Sequence, residues 1–455
     1  MKRLALFILV LTTLQCTNRP NPLKVGAFSF HATPTIGTPV AYAMTRSIQD
    51  SLYGKGIVIL SDQQPIVIGV VDWLGIANEG LERWRVAVAK AAGTTTDRVS
   101  IHAVHQHDGA RGDFTTASIL EKYGLGGWRY DSAFLDQTIQ RGAAAVQQAI
   151  EQAQPVTHIG FGQAKVEKVA SNRRILGEDG KVEIIRWSRS TDSAAIAAPE
   201  GLIDPWLKSV SFWNDEKPLV NLNYYTTHPM SHYGQGDVSS DFVGIARESR
   251  ENVLGFTQVY FSGAGGNITA GKYNDGSPER RYILADRVEL AMEKAWEATV
   301  RIPISADDLS WNTTEVALPL GVHLIEDDLI GILEDEDADS LERFTAAKHL
   351  AWLYRTNQGH TVTLSALNLK NVWLLNLPGE LFVEYQLAAQ QMRPDDFVCT
   401  AAYEEYGPGY ICTEIGYEQG GYEDSERASR VGPAVEGVLM GAIREVLING
   451  AQTVQ

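Results

Sequence analysis

Four times between residues 98 and 380, a run rich in β-branched and aromatic residues stops and a residue able to do chemistry follows at once. Residues 98–104 lead into His105, Gln106, His107, Asp108 and Gly109, and residues 219–225 lead through Thr226 and Thr227 into His228 and Pro229. Residues 257–261 lead into Gly263, Gly265, Gly266 and Asn267, and residues 372–377 into Pro378, Gly379 and Glu380. Such runs read as strands that each deliver a polar side chain to a loop. Further strands lie at 56–60 and 65–71, split by the turn residues 61–64. Helical spacing separates the strands: Leu135, Ile139, Val146 and Ile150 share a face, as do Leu284, Val288, Ala291, Met292 and Ala295. Turn chemistry predicts two hairpins, 209–213 with 219–225 and 362–369 with 372–377. The expected fold class is therefore α/β (α+β), with mixed β-sheets and flanking helices. No internal repeat and no long Pro, Ser or Gly linker interrupts the chain after Pro20, so residues 20–455 read as one large domain.

Charge excludes one class of partner. The chain carries 39 basic and 56 acidic side chains, a net charge of −17, and its Lys and Arg form no stripe, so nucleic acid is not an expected partner. The acidic stretch 326–342 is interrupted by Leu329, Ile332, Leu333 and Leu341, the pattern of one or two solvated amphipathic helices rather than of a cation site. At the N-terminus, Lys2 and Arg3 precede an apolar run at 4–11, so residues 1–19 read as an export signal, with Cys16 a candidate for lipidation. That run is shorter than the ~20 residues of a membrane span, and no later run reaches that length. The expected location is the periplasm, the outer membrane as a lipoprotein, or the exterior. Cys399 and Cys412 are an even pair open to a disulfide in such a compartment.

Each strand-end loop has its own chemistry. Strand periodicity puts His105 and His107 on one side, where neutral imidazoles make good zinc ligands. Pro229 biases His228 toward extended geometry. The glycines at 263, 265 and 266 allow a close backbone approach to a ligand, as in an oxyanion-binding nest, but Lys272 is followed by Tyr273 and so no phosphate-binding P-loop is present. Glu380 falls in the first turn of a helix at 381–392, where an acid also compensates the helix dipole. A tyrosine-dense loop, with Tyr406, Tyr410, Tyr417 and Tyr422, closes the series.

Taken in order, these loops resemble the motif series of the neutral, non-lysosomal ceramidase family over almost the whole chain after the signal. His105 and His107 match its first histidine block, Asn172 and Arg173 its Asn-Arg motif, and residues 227–241 its second histidine block. Residues 266–270 match its glycine loop, residues 378–380 its Pro-Gly-Glu, and residues 410–423 its tyrosine motif. The resemblance implies a Zn²⁺ held by His105, His228, Glu380 and Tyr410. It also implies substrate contacts from Arg173, Asn172 and Asn267, with His107, Tyr422 and Thr269 as catalytic residues. Such a zinc site lowers the pKa of a bound water toward ~7, and the implied reaction is hydrolysis of the N-acyl amide bond of ceramide or a related N-acyl lipid to fatty acid and amine. The implied partner is a lipid or N-acyl amide substrate, with contact at a membrane surface. Departures bear on specificity: Asn267, Thr269 and Ala270 stand where the family carries Asp, Ser and Pro, and Arg174 where it carries Ser. The chain ends on a helical pattern at 435–448, so the family's C-terminal β-sandwich domain is not expected. Two other readings stay open: a hydrolase of the same scaffold acting on a different amide or ester, and a non-catalytic metal- or lipid-binding homologue.

Overall fold

The computed structural model describes residues 22–449, so the export signal at 1–19 and Cys16 lie outside the described residues. Three mixed sheets carry the architecture. The first has the order Val99–Ala103, Ile66–Val71, Tyr53–Leu60, Lys24–His31, Gln154–Pro155. The second runs Gln258–Ser262, Lys217–Tyr225, Trp206–Asn214, His158–Lys165, Val300–Pro303. The third runs Leu309–Val316, Val362–Leu369, Val372–Asn376, Phe397–Ala401. Both expected hairpins form, and the second turns at Lys370 with φ of +62°.

Most pairings are antiparallel, but each sheet ends in one parallel pair. These are Ile66–Val71 with Val99–Ala103, Lys217–Tyr225 with Gln258–Ser262, and Val372–Asn376 with Phe397–Ala401. Strands of a parallel pair finish at the same end, and the carboxyl ends of such strands are where α/β sheets bind ligands. Here all six ends are stitched together by backbone hydrogen bonds. Val104 N donates to Val71 O at 2.8 Å, Ala103 N to Tyr403 O at 3.2 Å, Ala402 N to Ser262 O at 2.9 Å and Gly263 N to Tyr225 O at 2.9 Å. The four loops named from the sequence therefore arrive at one place.

Helices cover the sheets. Ser132–Glu151 buries Leu135, Ile139 and Val146, and it approaches the first sheet so closely that a Cβ on Gly26 would stand 2.1 Å from Ala149 O. Pro278–Glu297 buries Leu284, Val288, Ala291, Met292 and Ala295 against the second sheet. Each such buried aliphatic side chain contributes about 1.5–3 kcal/mol through removal from water. The acidic stretch forms the paired helices Glu326–Glu334 and Ser340–Asn357 with Leu329 and Leu333 turned inward, as the periodicity predicts. Among the described residues no helix is long and apolar enough to cross a membrane.

Three local expectations are corrected. The first-sheet strand stops at Ala103, and His105 takes φ of +68°, so it is not strand alternation that brings His107 to its side. Glu380 belongs to a two-residue strand, Glu380–Leu381, paired in parallel with Tyr410–Ile411, and the helix starts later, at Val383–Met392. Cys399 and Cys412 are both free and buried, one in the core of the second sheet and the other in the core beside the third, so no disulfide joins them.

Candidate metal centre

Three imidazoles meet where the strand ends converge. His105 Nε2 lies 3.2 Å from His228 Nε2 and 3.3 Å from His107 Nε2. Glu380 Oε2 stands 3.1 Å from His105 Nε2 and 3.2 Å from His228 Nε2, and Tyr410 Oη is 3.3 Å from His228 Nε2. All of these side chains are buried. Backbone carbonyls behind the rings determine which ring nitrogens carry protons. His105 Nδ1 lies 2.7 Å from Leu74 O, and His228 Nδ1 lies 2.7 Å from Gly265 O and 3.0 Å from Ile268 O. A carbonyl only accepts, so both Nδ1 atoms donate and both Nε2 atoms keep a lone pair turned inward.

The protonation states agree with that geometry. Burial, then the neighbouring His105 and His228, hold His107 well below the ordinary histidine value, and burial lowers His228 as well. The inward-turned ring nitrogens are electron-pair donors facing a carboxylate, and buried Glu380 Oε2 has no hydrogen-bond partner among the described residues. Such a donor set, with Tyr410 Oη beside it, fits a divalent cation, which would offset the mutual repulsion of the lone pairs. His105, His107 and His228 form a group whose ligand atoms all lie within 4.8 Å of one another.

The surrounding shell contains residues both named and missed by sequence reasoning. Arg173, buried, donates from Nη1 to Tyr410 Oη at 3.0 Å and to Gly266 O at 3.3 Å, and its Nε faces Glu423 Oε1 at 3.3 Å. Arg174, at the family's serine position, pairs with the other oxygen of Glu423 at 2.9 Å. Tyr422 stacks edge-on against Tyr410 at 5.6 Å, so it reaches the rim of the centre. Asn172 and Asn267 point elsewhere. Asn172 Nδ2 donates to Leu202 O at 3.0 Å and its Oδ1 accepts from Arg174 N at 3.0 Å. Asn267 Oδ1 accepts from Val383 N at 2.9 Å and its Nδ2 donates to Glu384 Oε2 at 2.9 Å. Thr269 is fully buried; its hydroxyl accepts from Gly271 N at 3.3 Å.

The glycine loop is a packing device. A Cβ on Gly266 would lie 2.4 Å from Glu380 O, and Gly266 N donates to Leu381 O at 2.7 Å, so the loop clamps the strand that carries the carboxylate. Two aromatic residues escaped sequence reasoning. Tyr42 Oη is 2.6 Å from His107 Nδ1, and Tyr403 stacks on His105 with centroids 4.3 Å apart. Nothing in their own segments marks either one; each is tied to the site only by contact with a histidine far away in the sequence.

Comparison with known proteins supports the fold. No protein-family model and no curated protein matches the sequence. Among solved structures, neutral ceramidase from Pseudomonas aeruginosa superposes with a TM-score of 0.71 at 15% identity, over 95% of this chain and 75% of that one. A second structure, a ceramidase complexed with C2, matches with the same TM-score, 0.71, over 95% of this chain. The resemblance read from the order of the motifs is thus matched by the architecture: this chain has the fold of neutral ceramidase.

Proposed function

We propose that the protein is a zinc-dependent amidohydrolase that cleaves the N-acyl bond of ceramide or a related N-acyl lipid amide. The observation that carries this reading is the convergence of three imidazole Nε2 atoms and the unpartnered Glu380 Oε2 at the joined strand ends of a neutral ceramidase fold. His105, His228, Glu380 and Tyr410 are the assigned ligands, and the ion they hold would supply Lewis acidity toward a water molecule and toward the acyl carbonyl.

The chain's own residues do the rest. His107, kept neutral and held by Tyr42, accepts or returns a proton beside the centre. Arg173 keeps its charge against burial through Tyr410 and Glu423, and it fixes the orientation of the Tyr410 hydroxyl. Tyr422, its pKa raised by burial and then by Glu380, stays a phenol able to donate to the departing amine. Asn172, Asn267 and Thr269 support these groups through the backbone contacts described above.

Elemental analysis combined with a hydrolysis screen tests the reading. About one zinc per chain is expected, together with release of fatty acid from ceramide that chelation abolishes. A chain that retains no divalent metal, or that cleaves neither ceramide nor short N-acyl amines while loaded, overturns it.

A further inference from the structure

A narrow cavity lies beside the candidate metal centre, separated from it by Tyr406. Arg111, Asp113, Tyr130, Lys348, Tyr406 and Arg430 are among its lining residues. Tyr406 stands with its ring 5.4 Å from that of His105, and the Arg111 guanidinium lies 5.8 Å over the ring of Tyr42, whose hydroxyl holds His107.

The lining is rich in basic side chains that form no ion pair among the described residues. Arg111 Nε and Nη2 both reach only Ala41 O, at 3.3 Å, and Arg430 Nη1 donates to Gly407 O at 2.7 Å while its buried Nε has no partner. The Lys348 ammonium rests on the face of Phe344 at 4.9 Å, with Arg111 at 5.5 Å and Arg129 at 5.6 Å from the same ring. The carboxylate among the lining residues, Asp113, is already engaged: it accepts from Thr116 N at 3.0 Å and Asn78 Nδ2 at 2.8 Å, and it caps the helix Phe114–Lys122. Burial, and then Arg430 and Arg111, hold the Lys348 ammonium well below the ordinary lysine value. In a chain of net charge −17, two guanidinium groups and a lysine amine gather with no ion pair within 4 Å among the described residues, an arrangement in which an entering anion would restore the lysine's charge. The cavity measures about 20 Å³, space on the scale of one water-sized group, so it admits the tip of an anionic substituent rather than a whole headgroup.

We infer that this cavity is an anion subsite of the enzyme, and that its substrates are N-acyl amides bearing a small anionic group, such as a carboxylate, close to the scissile bond. The inference deepens the amidohydrolase reading and rests on it. Lys348 and the two guanidinium groups supply charge-assisted hydrogen bonds to the anionic oxygens while the amide carbonyl lies at the metal centre beyond Tyr406.

The test pairs N-dodecanoylglycine with N-dodecanoylethanolamine, which match in length and differ by a carboxylate against a hydroxyl. The wild type should favour the glycine amide in kcat/KM by roughly 10-fold or more, the scale of a hydrogen bond to a charged group, and Lys348→Gln and Arg430→Gln should bring the ratio near one. Lys348 is only partly buried, so its variant carries the test if Arg430→Gln fails to fold. Equal rates in the wild type, or a preference that survives Lys348→Gln, overturns the subsite. If the wild type cleaves no amide, the amidohydrolase reading fails separately, and thermal unfolding decides the subsite. A Tm rise with N-dodecanoylglycine that Lys348→Gln removes supports it, and no rise overturns it. A Tm rise with sodium chloride or phosphate alone, lost in Lys348→Gln and accompanied by no amide preference, assigns the cavity to a free anion and overturns the substrate class.

Discussion

The candidate metal centre and the basic cavity sit on either side of Tyr406 and are opposites in chemistry. Around His105 the inward groups are electron-pair donors, three Nε2 atoms and a carboxylate oxygen; around Lys348 they are N–H donors. Each is costly on its own, but they are built differently. His105 and His228 are fixed by carbonyls of the strand-end loops, Leu74 O, Gly265 O and Ile268 O, so their geometry is set by the backbone. The cavity relies on long side chains, one resting on an aromatic face. The lesson is one of tolerance: a backbone-set ligand group fails at once when one member is lost, whereas a cluster of flexible cations loses strength in steps.

The largest test of that contrast is at the centre. His228→Ala should remove the metal and lower activity by roughly 10³-fold or more, since the ligand set no longer closes. Elemental analysis of His228→Ala and Glu380→Gln checks it, and full zinc in both would show that the two regions do not differ as described. Next in size is Tyr422→Phe, which should keep its metal and lower kcat by roughly 10²-fold, the loss of one proton donor or oxyanion contact; an unchanged kcat removes Tyr422 from the reaction. Thr269 gives a smaller effect. Its hydroxyl is occupied by Gly271 N, so Thr269→Ala should cost about 10-fold or less in kcat and Thr269→Ser should be near wild type. An acyl group trapped on Thr269, seen by mass spectrometry of a quenched reaction, would instead make it the nucleophile.

The smallest test uses a histidine outside both regions. His349 is buried with Nε2 unpartnered, and burial, then Arg430 and Lys348, push its pKa down to about 2. The unfolded chain, with an ordinary value near ~6.5, then binds the proton that the folded one refuses. Stability from this group is complete above that value and falls as pH drops through it, by about 1.4 kcal/mol per pH unit. Denaturation of wild type and His349→Gln at pH 7 and 5 should show the variant's shallower slope; equal slopes would place the acid sensitivity in the metal centre instead.

Much of the architecture is legible in the sequence because it is local. Periodicity shows the inward faces of Ser132–Glu151 and Pro278–Glu297, turn residues show both hairpins, and the loops carrying His105, His228 and Glu380 follow strands that can be seen directly. The order of those loops also points to the fold that superposition finds. Tertiary structure decided what local pattern does not encode. His105 adopts a positive φ because its amide is held by Trp73 O, and Glu380 pairs as a strand because the glycine loop clamps it there. Cys399 and Cys412 are not joined because separate clusters hold them. Tyr42 reaches His107 across 65 residues of chain, and Arg111, Lys348 and Arg430 gather from three distant segments. Sequence spacing reports which face a side chain takes on its own element; which elements then meet follows from the packing of the sheets, and that is where the charge of both sites is set.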